Sequence, residues 1–268
     1  MDRLSNPLLA LFAGLSAEAD VVDQPEWRAA FDAKGVRGTF VLWEPLARRY
    51  RVSDLRRARK GYLPHSTFDP AIALVGLEVG ALDDELEVFH WDGKPKPVRA
   101  WECDHDLASG MCYGPVWMFQ EIARRTGRQR MKEWLERIDY GNAEVAGGTE
   151  LFWLQGGLRI SAMEQVRFLH RLAEGRLPAT QRAQRLVRSA LAVERTGAFT
   201  LYAKAGTSSQ AIRDPVWWWN GWIERRGRPE AYFAMNFTPH GSNRTTDRFE
   251  IGRAILEEAG AMPRSGGG

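Results

Sequence analysis

Strand-patterned segments sit at opposite ends of this chain, with helical patterning between them. Residues 37–44, Arg-Gly-Thr-Phe-Val-Leu-Trp-Glu, are rich in β-branched and aromatic types that suit a pleated surface. Arg49-Tyr50-Arg51-Val52 offers a hairpin partner. Far downstream, Phe199 to Lys204, Val216 to Glu224 and Ala231 to Phe237 read as three consecutive strands. Strands so distant in sequence have to share one sheet. The predicted class is therefore α+β: a central antiparallel sheet flanked by helices, with a helical lobe inserted between early and late strands.

The lobe has its own punctuation. Ser66 and Thr67 offer caps for a helix that runs through an apolar stretch to Gly80. Val116, Phe119, Ile122 and Ala123 carry helical spacing across 115–127, and a second short helix follows over 129–138. Gly93 to Pro97 and residues 140–150 read as loops. Ser161-Ala162-Met163-Glu164 forms a capping box ahead of Val166, Leu169 and Leu172. Further helices are predicted over 180–194 and 249–259, and no internal repeat is visible.

At 268 residues and 44% hydrophobic, the chain can bury a sizeable core. Its net charge is only +3, so nucleic-acid binding would need a concentrated basic patch. The best candidate, Leu55-Arg56-Arg57-Ala58-Arg59-Lys60, reads as a solvated face, and no nucleic-acid partner is expected. Cys103 and Cys112 lack metal-site spacing and form either one bridge or two free thiols. The apolar run from Pro7 to Ala17 is either a weak secretory signal, implying a periplasmic or secreted protein, or a first helix of a cytoplasmic one. No later apolar run reaches the roughly 20 residues of a membrane span. The expected organisation is a leader or extra helix over 1–26, one domain over 27–262 and a flexible tail over 263–268.

Chemistry concentrates in three short segments. In Pro64-His65-Ser66-Thr67-Phe68-Asp69, a serine opens a helix and a carboxylate follows three residues later. Positions i and i+3 share a helix face, so the two side chains can meet, and a helix N-terminus favours a developing oxyanion. Tyr202-Ala203-Lys204-Ala205-Gly206-Thr207 places a lysine and a glycine on a strand. Met111-Cys112-Tyr113-Gly114-Pro115-Val116 leads into a helix. Each residue also has a structural reading: Ser66 as a cap, Asp69 as a first-turn carboxylate, Lys204 as a strand-edge cation, Arg248 as a surface arginine, Trp153 as core. His65 cannot face Ser66 across adjacent helix positions. Asp104-His105-Asp106 reads as a polar loop cluster, and Trp217-Trp218-Trp219 with Trp222 as strand core.

These segments resemble the S-x-x-K, K-T-G and S-x-V motifs of the class D, or oxacillinase-type, serine β-lactamases. The likeness extends through Phe89-His90-Trp91-Asp92-Gly93-Lys94-Pro95, Tyr140-Gly141-Asn142, Phe152-Trp153-Leu154-Gln155-Gly156, Leu158-Arg159-Ile160-Ser161 and Trp218-Trp219-Asn220-Gly221-Trp222, from about Trp27 to Ala261. The resemblance implies a β-lactamase/transpeptidase-like fold. It implies Ser66 as nucleophile, the backbone N–H groups of Ser66 and Thr207 as oxyanion hole, and Arg248 as anchor for a substrate carboxylate. Gly206, Thr207, Trp153, Val116 and Tyr113 would line the substrate site. It implies a small β-lactam-like substrate, no cofactor and no metal, and a monomer or homodimer.

Three positions depart from the pattern. Asp69 stands where the family has a lysine whose carboxylated form is the general base. Gly114 takes the place of the motif serine, and Ala205 that of the hydroxyl residue. Pro70 follows Asp69 directly and biases it away from helical geometry. Such clustering suggests a natural homologue diverted to another role or a pocket rebuilt by engineering. The first expectation is a β-lactam-acylated protein with impaired hydrolysis. One alternative uses Asp69, among Trp153, Trp117 and Tyr113, as a general base for proton abstraction; another is a non-catalytic sensor or binder of β-lactams or peptides.

Overall fold

The computed structural model describes residues 19–209 and 212–264. The leader expectation for residues 1–18 and the end of the expected tail, 265–268, lie outside the described residues. Seven strands form one sheet: β1 (Asp20–Asp23), β2 (Arg37–Glu44), β3 (Arg49–Val52), β4 (Ala192–Arg195), β5 (Thr200–Thr207), β6 (Trp217–Arg225) and β7 (Arg228–Thr238). Their spatial order is β1-β3-β2-β7-β6-β5-β4. Early and late strands meet where β2 runs antiparallel to β7, Arg37 opposite Thr238 and Trp43 opposite Tyr232.

The sheet is mixed rather than wholly antiparallel, because β1 runs parallel to β3. Asp20–Asp23 was expected within the leader or extra helix. Its four side chains are all exposed, so no alternation marks it as a strand. The helix expected over 180–194 is also corrected. Helix α8 ends at Ala190, and Ala192–Arg195 turns into β4, pairing with the start of β5. There a sheet ladder outweighs helical continuation.

Alternation along β6 divides the molecule into two cores. Trp218 and Trp222 point into the helical lobe, while Trp217, Trp219 and Ile223 point to the opposite face. The lobe contains α3 (Asp69–Val79), α4 (Leu107–Tyr113), α5 (Val116–Thr126), α6 (Arg128–Arg137), α7 (Ala162–Ala173) and α8 (Gln181–Ala190). Helices α1 (Arg28–Asp32) and α9 (Asp247–Glu258) cover the other face, and a short α2 (Leu55–Ala58) packs on β2. The predicted capping box holds: Ser161 Oγ accepts from Glu164 N at 3.2 Å and Glu164 returns a carboxylate to Ser161 N at 2.7 Å.

Helix α3 runs through the interior, buried on every side from Asp69 to Gly76, and ends at left-handed Gly80. The chain enters it through a 3-10 turn, His65–Phe68, instead of a side-chain cap. Thr67 Oγ1 donates to Pro64 O at 2.7 Å, so neither Ser66 nor Thr67 caps the helix as expected. Pro70 is accommodated in the first turn of α3, where its missing N–H has no helical acceptor to lose.

Candidate active site

The 3-10 turn and α3 place Ser66 and Asp69 on one side of the entry to the lobe. Lys204 reaches them from β5, and Gly114 faces them from the junction between α4 and α5. A Cβ placed on Gly114 would lie 3.3 Å from Lys204 Nζ, 3.7 Å from Asp69 Oδ2 and 3.7 Å from Ser66 Oγ. The hydroxyl, the carboxylate and the ammonium therefore surround one point. Gly114 has φ +62°, a left-handed conformation that glycine adopts without a Cβ penalty.

Lys204 Nζ lies 3.0 Å from Asp69 Oδ2 and donates to Met111 O at 2.6 Å. Both charged side chains are almost fully buried. Burial pushes the Asp69 carboxyl up to about 6, against the opposing pull of the nearby Lys204 ammonium. Asp69 is thus held beside Lys204 behind the cavity wall; unlike Ser66 and Lys204, it does not itself line the cavity.

A cavity of about 840 Å³ opens over this cluster and wraps the free edge of β5. Strand β4 covers only the start of β5, ending opposite Tyr202. From Lys204 onward β5 is an edge. Ala203 N donates to Leu191 O on the β4 side, whereas Ser208 N donates to Val216 O on the β6 side. Strand alternation therefore aims the Thr207 N–H at the open edge, into the cavity.

Gly206 permits a close approach of β5 to the serine turn. A Cβ there would meet Pro64 O at 2.8 Å and Thr67 N at 3.2 Å, both backbone atoms. On the other side of β5, Arg248 comes from within the first turn of α9, not from ahead of that helix as expected. Its guanidinium donates to Thr207 Oγ1 at 2.7 Å, Gly206 O at 3.0 Å and Thr245 O at 2.6 Å. It lies over Trp217 and Phe249, 5.5 Å from each ring centre. No carboxylate among the described residues pairs with it, and burial lowers its pKa to about 10. Arg248 is thus a buried cation at the cavity wall without a counter-ion among the described residues.

The comparisons with known proteins agree with this layout. The penicillin-binding-protein transpeptidase domain matches residues 41–257. The β-lactamase OXA-48 of Klebsiella pneumoniae is 35% identical over 96% of each chain. OXA-10 of Pseudomonas aeruginosa is 36% identical over 95% of this chain and 96% of its own. The class D β-lactamase FUS-1 of Fusobacterium nucleatum superposes with a TM-score of 0.85 at 31% identity, covering 90% of this chain and 99% of that one. This chain belongs to the class D β-lactamase family.

Against that family pattern, Ser66, Lys204, Thr207, Arg248, Val116 and Tyr113 all line the cavity, Tyr113 from its exposed rim. Trp153 does not. Its ring is buried in the lobe core against Phe68 and Phe152, so the expectation that it lines the pocket is corrected. An aromatic flanked by aromatics reads alike as wall or core. The Met111 carbonyl that holds Lys204 went unanticipated, since a backbone acceptor leaves no sequence signal. Trp101, Leu154, Trp219 and Phe249 also line the cavity unforeseen.

His65 is buried, with φ +49° and no partner for Nε2. Burial holds its pKa down to about 4, which keeps the ring neutral. Its left-handed backbone turns the chain from Pro64 into the Ser66 turn. The Asp104-His105-Asp106 segment is structural: Asp106 caps α4 with Ser109, and His105 is buried with Nδ1 3.2 Å from Ser109 Oγ. Cys103 and Cys112 are free and exposed.

Proposed function

We propose that this class D β-lactamase-like hydrolase is acylated by β-lactams at Ser66 and releases the acyl group slowly because Asp69 replaces the family's base. The observation that carries the reading is the convergence of Ser66 Oγ, Asp69 Oδ2 and Lys204 Nζ around Gly114, with Ser66, Lys204 and Gly114 lining the cavity.

In the proposed reaction, Ser66 Oγ attacks the lactam carbonyl carbon and its proton passes to the Asp69 carboxylate. The N–H groups of Ser66 and Thr207 hold the developing oxyanion. The ring C–N bond then breaks, the nitrogen takes up a proton from Lys204 or Asp69, and an ester on Ser66 remains. Arg248 holds the substrate carboxylate. Release requires a water to lose a proton to a base as it attacks the ester. The short Asp69 side chain is tied to Lys204, and position 114 brings no hydroxyl to relay a proton. General-base assistance is worth about 10²–10⁴ in rate, so weakening it slows release most.

Intact-mass spectrometry after incubation with benzylpenicillin tests the proposal. A one-to-one adduct is expected that persists for minutes and is absent in Ser66→Ala. No adduct at any penicillin concentration rules the reading out. Reversible binding without an adduct would instead identify a sensor. The raised Asp69 pKa favours a second reading, in which this carboxylate abstracts a proton from a carbon acid. A pH–rate profile on such a substrate, abolished by Asp69→Asn, would support it. A periplasmic or secreted location and a monomeric or homodimeric state belong to the first proposal. Among the described residues no helix is long and apolar enough to cross a membrane.

A further inference from the structure

A second cavity, of about 460 Å³, lies where β2 begins and β7 ends, behind the segment that leads to Ser66. Arg37, Arg56, Arg57, Lys60 and Arg213 line it, against two carboxylates, Asp54 and Asp214. The local surplus of three positive charges equals the net charge of the entire chain, +3. None of the five cations forms an ion pair with a carboxylate among the described residues. The Asp54 side chain is engaged as a helix cap, accepting from Arg57 N at 2.9 Å.

Arg57 is the fixed member of this group. Its Nε donates to Asn236 Oδ1 at 2.7 Å, and its guanidinium lies 4.9 Å from the centre of the Tyr62 ring. Its Nη2 is buried without an acceptor. Lys60 Nζ lies 4.9 Å from the same ring, so two cations share one aromatic, and Arg37 repels Arg57 from the third side. Uncompensated like charges in one concavity raise the energy of the unliganded protein, and a bound anion would remove that cost. Guanidinium forks match the oxygens of phosphate in pairs. The concave arrangement around the partly buried Arg57 separates this site from the flat stripe that nucleic acid requires.

We propose that this cavity binds a multiply charged phosphate-type oxyanion, with Arg57 as a fixed charge in its wall and Arg37, Arg56, Lys60 and Arg213 closing on the ligand. The same chemistry is offered by a free diphosphate and by a phosphorylated lipid headgroup.

The test is calorimetric titration of the full chain with inorganic pyrophosphate at fixed ionic strength, beside sedimentation with vesicles of neutral lipid with and without an anionic phospholipid. Arg56, Lys60 and Arg213 are exposed, so the triple variant Arg56→Gln/Lys60→Gln/Arg213→Gln should keep the fold, checked by near-UV circular dichroism. Saturable pyrophosphate binding is expected, weakened at least about tenfold in the triple variant, since each lost charge-assisted bond contributes about 1.5–3 kcal/mol. Arg248→Ala in the first cavity should leave it within about twofold. Vesicle binding lost in the triple variant, without pyrophosphate binding, supports the same site with a headgroup as its source. The proposal is overturned if neither probe binds, if the triple variant binds as the parent does, or if Arg248→Ala is the variant that loses binding.

Discussion

The two ends of the first cavity hold one buried cation each, and the two cations are in opposite situations. At the serine end, Lys204 sits 3.0 Å from Asp69 and donates to Met111 O, so its charge is balanced within the protein. At the other end, Arg248 is held by neutral acceptors alone, Thr207 Oγ1 and the carbonyls of Gly206 and Thr245. Removing charge from water is costly unless a partner compensates it. The Arg248 charge therefore lacks a protein counter-ion among the described residues, while the Lys204 charge has one. In the proposed function this separates recognition, assigned to Arg248, from proton transfer, assigned to Asp69 and Lys204.

The sharpest way to break this contrast is Asp69→Lys. Position 69 lies beside Ser66 and Lys204, near the point that a Cβ on Gly114 would occupy. If the serine end alone limits turnover, nitrocefin hydrolysis should rise by about 10²–10⁴, the worth of general-base assistance. An unchanged rate with intact penicillin binding would place the defect elsewhere, with Gly114 and Ala205 the next positions to restore.

Arg248→Ala acts on the opposite end. Loss of a charge-assisted contact to a carboxylate costs about 1.5–3 kcal/mol, or about 10- to 100-fold. The loss should appear in the second-order acylation constant for benzylpenicillin, with the lifetime of the adduct unchanged. A shortened lifetime would show that the two ends are coupled.

The pH dependence sharpens the comparison further. Asp69 is raised from 3.8 to about 6 by burial. The folded protein therefore holds this proton more tightly than the unfolded chain does. The resulting stabilisation is fully present below the unfolded value and lost as pH rises through about 6. A base must be ionised to act, so acylation should change in the opposite direction, rising about tenfold between about pH 5 and about pH 7. Thermal unfolding and adduct-formation rates measured across that range should trend oppositely. Asp69→Asn should flatten both, and a rate profile that survives the substitution would remove Asp69 from the proton path.

The sequence made the long, two-sided elements legible and left the short or exposed ones hidden. β2, β5, β6 and β7 carry β-branched and aromatic runs because both faces of the sheet are covered, and the alternating tryptophans of β6 divide between two cores. β1 and β4 have four residues each with little burial contrast, so pairing alone defines them. Helix α4 was missed because its cap pairs Asp106 with Ser109 rather than with an acidic residue, and Gly110 interrupts its pattern. In the site, the sequence suggested a hollow shared by Ser66, Asp69 and Lys204; Ser66 and Lys204 line it, and Asp69 lies buried beside Lys204. The Met111 carbonyl and the left-handed His65 follow from backbone geometry and have no residue signature.

The smallest expected effect concerns the seam between the two ends. Gly206 lies on the strand that carries both Lys204 and Thr207, pressed against the turn that carries Ser66. In Gly206→Ala the new methyl would find Thr67 Cγ2 at 3.2 Å, which can yield, and Pro64 O at 2.8 Å, which moves only with the turn itself. With Thr67 N also at 3.2 Å, overpacking of this kind costs about 1–3 kcal/mol. Urea unfolding should show that loss. Because the turn and β5 would separate by a fraction of an ångström, acylation should fall a few-fold while reversible penicillin binding through Arg248 is retained. Equal losses in binding and acylation would mean that the strand moves as one body with Arg248, and that the two ends of the cavity cannot be tuned apart.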